Sequence, residues 1–222
     1  MFLIRLLAFW FVVCLMAGQS VAQTASQKMI GEYYLTGVRE VGAGIKLNAD
    51  FTFDFFFSYG ALDRLGHGTW KQQGSQLRLI SRPRPPKDFA LISSQTVPGD
   101  SITIRIVDQN KQLLQYVECA IKSGAKIQRE GTDTDGEAHF LKRAVEFTKL
   151  EAEAISLRFD LCPDRYSVFP ITDKAHNYFE FRFEPWISEA FFENVTYTIS
   201  GNNFKGPLSI LEPNETYQFK RQ

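Results

Sequence analysis

Phe51-Thr52-Phe53-Asp54-Phe55-Phe56-Phe57-Ser58 decides the fold class. A strand turns successive side chains to opposite faces, so Phe51, Phe53, Phe55 and Phe57 share one face and Thr52, Asp54 and Ser58 the other. Phe56 breaks the polar face, which leaves room for cover on both sides. Upstream, Tyr33 and Leu35 alternate with Glu32 and Thr36, Ile45 and Leu47 follow Gly42 and Gly44, and Asn48-Ala49-Asp50 makes a tight connection. Downstream, Trp70 leads to Leu77 and Leu79 across the turn Gln73-Gly74-Ser75. Period-two apolar runs broken by Gly, Asn and Asp are the signature of an antiparallel β-meander or small barrel.

Arg82-Pro83-Arg84-Pro85-Pro86-Lys87 cannot lie inside a central strand, because its prolines lack ladder donors and favour an extended course. It reads as a linker or long exposed loop. A second break, Val97-Pro98-Gly99-Asp100, sets the expected domain boundary: residues 23–100 form the first domain and 101–222 the second. From Ser101 the alternation restarts with Ile102, Ile104 and Ile106. Short strands follow around 116–122, 125–129, 137–141, 154–161, 166–171, 177–183, 195–199 and 217–220, a spacing that predicts a β-sandwich. Only Ala144 to Ser156 has helix-friendly composition.

The chain opens with Arg5, an unbroken apolar run from Leu6 to Ala17, and Ser20-Val21-Ala22. That order is a secretory signal peptide, residues 1–22, cut after Ala22. The apolar run is shorter than the roughly 18 residues a membrane helix needs. Periplasmic or secreted localisation is therefore expected, with no membrane span after cleavage. Of 25 basic and 25 acidic residues, the leader removes Arg5 alone. The near-neutral remainder has no electrostatic reason to bind nucleic acid. Cys119 and Cys162 remain, and in an oxidising compartment one disulfide is open to them. Their phases differ: Cys119 shares an inward face with Val117 and Ile121, whereas Cys162 shares the face of Arg158 and Asp160.

Ile104 to Leu114, Val117-Glu118-Cys119-Ala120-Ile121 and Gly131-Thr132-Asp133-Thr134-Asp135-Gly136-Glu137-Ala138-His139-Phe140 resemble the opening of carboxypeptidase regulatory-like, or transthyretin-like, domains. The resemblance covers roughly residues 101 to 145 and departs from the family at Gln109-Asn110-Lys111, where a glycine is usual. It implies a seven-stranded sandwich that serves as an accessory module and not as a catalyst. Gly31-Glu32-Tyr33-Tyr34-Leu35, the phenylalanine strand, Tyr59-Gly60-Ala61-Leu62-Asp63 and Gly68-Thr69-Trp70 are sparsely similar to lipocalin-like meanders of exported bacterial proteins.

Candidate chemistry is thin. Asp133-Thr134-Asp135-Gly136 begins like a calcium loop, but Phe140 and Leu141 stand where a bidentate Glu would be needed, so a hairpin turn is expected and no metal or cofactor. His67, His139 and His176 share no short ligand spacing. No G-x-S-x-G, H-E-x-x-H, phosphate loop or C-x-x-C is present, which favours a non-catalytic protein. Ser58 to Gly68 reads as a glycine-bounded loop that brings Tyr59 and Asp63 near His67, and Phe56 and Trp186 are surplus aromatics suited to an apolar surface. These five residues are the expected ligand-binding set. The expectation is an exported binding or interaction module for an unknown envelope or secreted protein. The alternatives are a lipocalin-like carrier of a small apolar ligand, held on the face of Phe51, Phe53, Phe55 and Phe57, and a hydrolase built around His67.

Overall fold

A computed structural model describes residues 28–60, 62–141, 152–212 and 214–222. The proposed leader and all but the end of the helix-friendly stretch lie outside the described residues; Ala154 to Ser156, its last part, opens a strand. The strands in chain order are β1 (Gly31–Thr36), β2 (Gly42–Leu47), β3 (Thr52–Tyr59), β4 (Leu62–Gln73), β5 (Gln76–Ile80), β6 (Phe89–Gln95), β7 (Ser101–Val107) and β8 (Val117–Ser123), followed by β9 (Lys126–Gly131), β10 (Glu137–Leu141), β11 (Ala154–Phe159), β12 (Ser167–Pro170), β13 (Tyr178–Phe183), β14 (Val195–Ser200), β15 (Asn203–Gly206) and β16 (Tyr217–Arg221). The fold is all-β. Among the described residues no helix is long and apolar enough to cross a membrane.

The chain divides into two units, but not where the sequence places the boundary. Residues up to Arg84 and from Glu189 form one unit, and Pro85 to Ser188 form the other. The first crossing falls inside the proline-rich segment. Val97-Pro98-Gly99-Asp100 is instead the connection between β6 and β7. The two strands expected at the end of the second domain, β14 and β16, return to the first together with β15, which the sequence reading did not mark: β1-β16-β15-β14-β5-β4-β3-β2 close into an eight-stranded antiparallel barrel.

The barrel interior is aromatic. Phe53, Phe55 and Phe57 of β3 are fully buried, each worth roughly 2–3 kcal/mol on removal from water. Phe51 does not join them. It sits in the left-handed region (φ 65°) and is about half exposed, because the Asn48 turn reverses the chain there, with Phe51 N–H donating to Asn48 O at 3.2 Å. Its ring packs on Trp70 at 5.1 Å. Across the barrel Tyr33, Tyr197 and Phe219 surround Phe204 at ring separations of 4.7, 5.2 and 5.4 Å. Phe192, supplied by the segment that re-enters the barrel, meets Phe53 and Phe55 edge-on at 5.1 and 5.0 Å. A barrel of eight strands encloses a space that side chains can fill or that can hold one small ligand.

The second unit is a pair of four-stranded sheets, β10-β7-β13-β6 and β12-β11-β8-β9. This makes eight strands among the described residues where the resemblance implied seven, since β6 joins from ahead of the expected boundary. Phe159–Phe183 and Phe169–Phe181, at 5.1 and 4.9 Å, join the sheets face to face. The Asp133–Gly136 turn is tight, with Gly136 N–H donating to Asp133 O at 3.0 Å and Gly136 at φ 83°. It is not a hairpin turn, however: β9 pairs with β8, and β10 pairs with β7 in the other sheet. Asp133 accepts the amides of Asp135 and Glu137, so its carboxylate serves the turn and is held below the usual range chiefly by the Glu137 bond.

Both cysteines are buried, with no bond between them. Cys119 faces inward as expected. Cys162 is also buried, in the turn after β11, where its N–H donates to Phe159 O at 3.0 Å. Phe159, three residues earlier, already stands opposite Val117, two residues of strand or about 7 Å from Cys119 along β8. A disulfide needs Cα atoms within about 7 Å.

Candidate functional site

The residues Ser58 to Gly68 do not form a loop. β3 and β4 pair continuously from Thr52↔Thr69 to Tyr59↔Leu62, with Gly60 (φ 58°) at the tip. Gly66 and Gly68 allow this: a Cβ at Gly66 would stand 2.7 Å from Ala190 O, and one at Gly68 only 2.2 Å from Ile80 O. Asp63, Leu65 and His67 consequently alternate outward along a strand, and Tyr59 is exposed at the hairpin end.

The registers of three successive strand pairs align two rows across the outer barrel wall. Tyr34 faces Gly44, Gly44 faces Phe56, and Phe56 faces Leu65. One step along, Glu32 faces Lys46, Lys46 faces Asp54, and Asp54 faces His67. The first row is apolar with a missing side chain at Gly44. Phe56 leans over that gap, its Cε1 2.5 Å from where a Cβ would lie, and meets Tyr34 edge-on at 6.1 Å. The result is an open groove of about 250 Å³ beside Phe56 and Leu65, which are 38% and 69% exposed. In the second row Glu32, Lys46 and Asp54 alternate in charge and line the edge of the groove, and His67 ends the row. Glu32 pairs with Lys46 at 3.2 Å and accepts from Tyr34 Oη at 3.1 Å. Lys46 first, then Tyr34, hold the Glu32 carboxyl below its ordinary range, and the same Tyr34 bond raises the phenol. Asp54 accepts from Asn48 Nδ2 at 2.9 Å.

Of the five residues the sequence singled out, Phe56 lines the groove, His67 ends the charged row, and Asp63 and Tyr59 lie further along the hairpin. Trp186 belongs to the second unit, half-buried, its indole donating to Lys87 O at 2.8 Å. The neighbouring apolar residues are also accounted for: Ile187 and Phe192 are buried, and Phe191 carries the guanidinium groups of Arg82 and Arg84 at 5.3 and 5.4 Å. Tyr34, Gly44 and Leu65 were not singled out. Their only sequence signal is the parity that puts each on the polar side of its strand.

The His67 ring lies 3.7 Å from Glu189, whose other oxygen pairs with Arg82 at 2.6 Å. Among the described residues no hydroxyl or thiol is hydrogen-bonded to that ring; Ser81 Oγ donates to the His67 carbonyl instead. A different trio forms in the second unit. Ser94 Oγ is 2.8 Å from His176 Nδ1, and His176 Nε2 is 3.5 Å from Asp173. In serine nucleophile triads the hydroxyl meets Nε2 and the acid Nδ1, the reverse of this order. Asp173 is mostly exposed and caps its own turn through Ala175 N–H, and the adjoining cavity, about 20 Å³, has room for about one water. The trio ties the 172–177 turn to the end of β6. Among the described residues no group of three His, Cys, Asp or Glu side chains is placed to hold a metal ion. Comparison with known proteins returns no matching family model, no similar curated protein and no similar solved structure.

Proposed function

We propose that this chain is an exported, non-catalytic binding or interaction module, whose barrel wall takes an apolar side chain or ring of an envelope or secreted partner. The observation that carries the reading is the Tyr34–Gly44–Phe56–Leu65 row: an apolar trough floored by a glycine and rimmed by alternating charges. Such a trough supplies apolar contact area at its centre and hydrogen-bonding orientation at its edge. The leader pattern, Arg5 to Ala22, supports export to the periplasm or the medium. The second unit is read as a transthyretin-like accessory sandwich, supported by its two facing four-stranded sheets.

A photo-crosslinking residue at Leu65, introduced in the producing cell, is expected to yield a discrete adduct that Phe56→Ala abolishes. The same residue at Thr198, outward on β14, yields none. Equal labelling from both walls overturns the reading.

A second reading, a lipocalin-like carrier, draws on the closed eight-stranded barrel and on Tyr197, whose buried hydroxyl has no hydrogen-bond partner among the described residues. Its test is native mass spectrometry of the exported protein: a retained small molecule supports the carrier, and a bare chain removes it.

A further inference from the structure

β6 forms one edge of its sheet and reads Phe-Ala-Leu-Ile-Ser-Ser-Gln, without a charge or a proline. The other edges of the second unit are defended. β9 carries Lys126, Arg129 and Glu130, β10 carries Glu137 and His139, and β12 is four residues long and ends at Pro170. Charges, prolines and shortness are the devices that stop a strand edge from pairing with another chain. β6 has only a bulge. Glu180 faces Ser93 while Phe181 faces Leu91, so Ile92 is the inserted residue. The insertion leaves two consecutive aliphatics part exposed at the sheet's edge, Leu91 and Ile92, at 44% and 47%, with Leu91 also lining the small cavity beside Ser94 and His176.

We infer that β6 is a self-association edge. Two copies of this chain pair their β6 strands antiparallel about a twofold axis near Ile92, joining two four-stranded sheets into one of eight. The occupant follows from charge. A neutral strand laid antiparallel on itself meets no like charges and sets Leu91 and Ile92 of each copy against those of the other, whereas β9 or β10 would oppose its own ionised side chains. Seven residues give about 23 Å of pairing. A contact of that length falls short of the roughly 800 Å² per partner of a standard interface, so the dimer is weak and dissociates in the micromolar range.

Sedimentation equilibrium of the purified chain from about 1 to 300 μM is expected to show the mass rising toward twice the monomer, with a dissociation constant of tens of micromolar. Ile92→Lys puts a charge on the edge and raises that constant about tenfold or more, with circular dichroism unchanged because the side chain is half exposed. Ile127→Lys, at an equally exposed aliphatic on the charged edge β9, leaves the constant alone. Amide exchange in β6, and not in β9 or β10, slows as concentration rises. A monomer throughout the range, or a dimer that Ile92→Lys does not weaken or that Ile127→Lys weakens equally, overturns the inference.

Discussion

Gly68→Ala adds one methyl group where β4 and β5 leave no space for it. The new Cβ would lie 2.2 Å from Ile80 O and 2.7 Å from Phe53 Cε1, so something must move by about 1 Å to restore ordinary contact. Neither neighbour yields cheaply. Ile80 is paired with Thr69 on the adjoining strand, and Phe53 is fully buried against Phe192. Overpacking of this kind costs about 1–3 kcal/mol, and displacing the Ile80 carbonyl adds about 1 kcal/mol of weakened backbone pairing. The alanine returns about 0.4–1 kcal/mol by restricting the unfolded chain. The net loss is about 2–3 kcal/mol, enough to lower the barrel's midpoint on the order of 10 °C. Gly42→Ala is the matched control, since its Cβ would meet Phe56 and Ser58 O at 3.9 and 4.0 Å, ordinary contacts, and it is expected to be neutral or slightly stabilising. Urea unfolding followed by circular dichroism and by the fluorescence of buried Trp70 measures both. A Gly68→Ala protein within about 0.5 kcal/mol of the parent, or a Gly42→Ala protein equally damaged, refutes the close-approach argument.

Tyr197→Phe removes a buried hydroxyl that has no partner among the described residues, and urea unfolding is expected to show a gain of about 1 kcal/mol; a loss would mean the hydroxyl is bonded in solution. Burial raises the Tyr197 phenol far above the ordinary tyrosine range, so the folded state keeps its proton while the unfolded state loses it. Stability should therefore be fully present below pH 10 and fall as pH climbs above it, by up to about 1.4 kcal/mol per pH unit from this group, and the Phe variant should show a shallower alkaline slope. Asp88→Asn breaks the two-bond pairing of buried Asp88 with Arg165 Nε and Nη2, and is expected to cost the sandwich about 3 kcal/mol in thermal unfolding, whereas a loss below 1 kcal/mol would show the pair to be dispensable. Cys119 and Cys162 should stay unlabelled by a thiol reagent in the native protein and both react once it is unfolded, because both are buried and burial pushes the Cys119 thiol far up; mass spectrometry finding them bridged would contradict the register.

Strand identity was legible in the sequence because alternation is a local property. Phe53, Phe55 and Phe57 point inward as their parity requires, and Trp70, Leu77 and Leu79 are fully buried beside them. Phe51 fails the same pattern for a local reason: the Asn48–Asp50 turn takes one residue more than parity counting allows, and the left-handed backbone at Phe51 absorbs it. Sheet membership was not legible. Tyr217 and Phe219 alternate as cleanly as Phe179, Phe181 and Phe183, yet the former close the barrel and the latter build the sandwich. An inserted unit leaves both of its junctions inside segments that read as loops, so period-two patterning cannot tell a chain that continues into a second domain from one that returns to the first.

The proposed binding wall lay one step further from the sequence than the strands did. Phe56 stood out because it is an aromatic on a polar face. Gly44 and Leu65 acquire meaning only when three registers bring them to either side of it, and registers depend on where each hairpin turns. The turn at Gly60 does this for β3 and β4: by ending β3 at Tyr59 and starting β4 at Leu62 it sets Leu65 opposite Phe56 and His67 opposite Asp54. A one-residue shift in that turn would send Leu65 into the barrel and Arg64 and Gly66 outward. The charged row would then lose His67, and the trough would lose its far wall. The site is thus encoded by turn geometry acting on unremarkable strand positions, which is why the glycine-bounded segment drew notice in the sequence while its role, to fix a register and not to carry ligands on a loop, became visible only in the pairing.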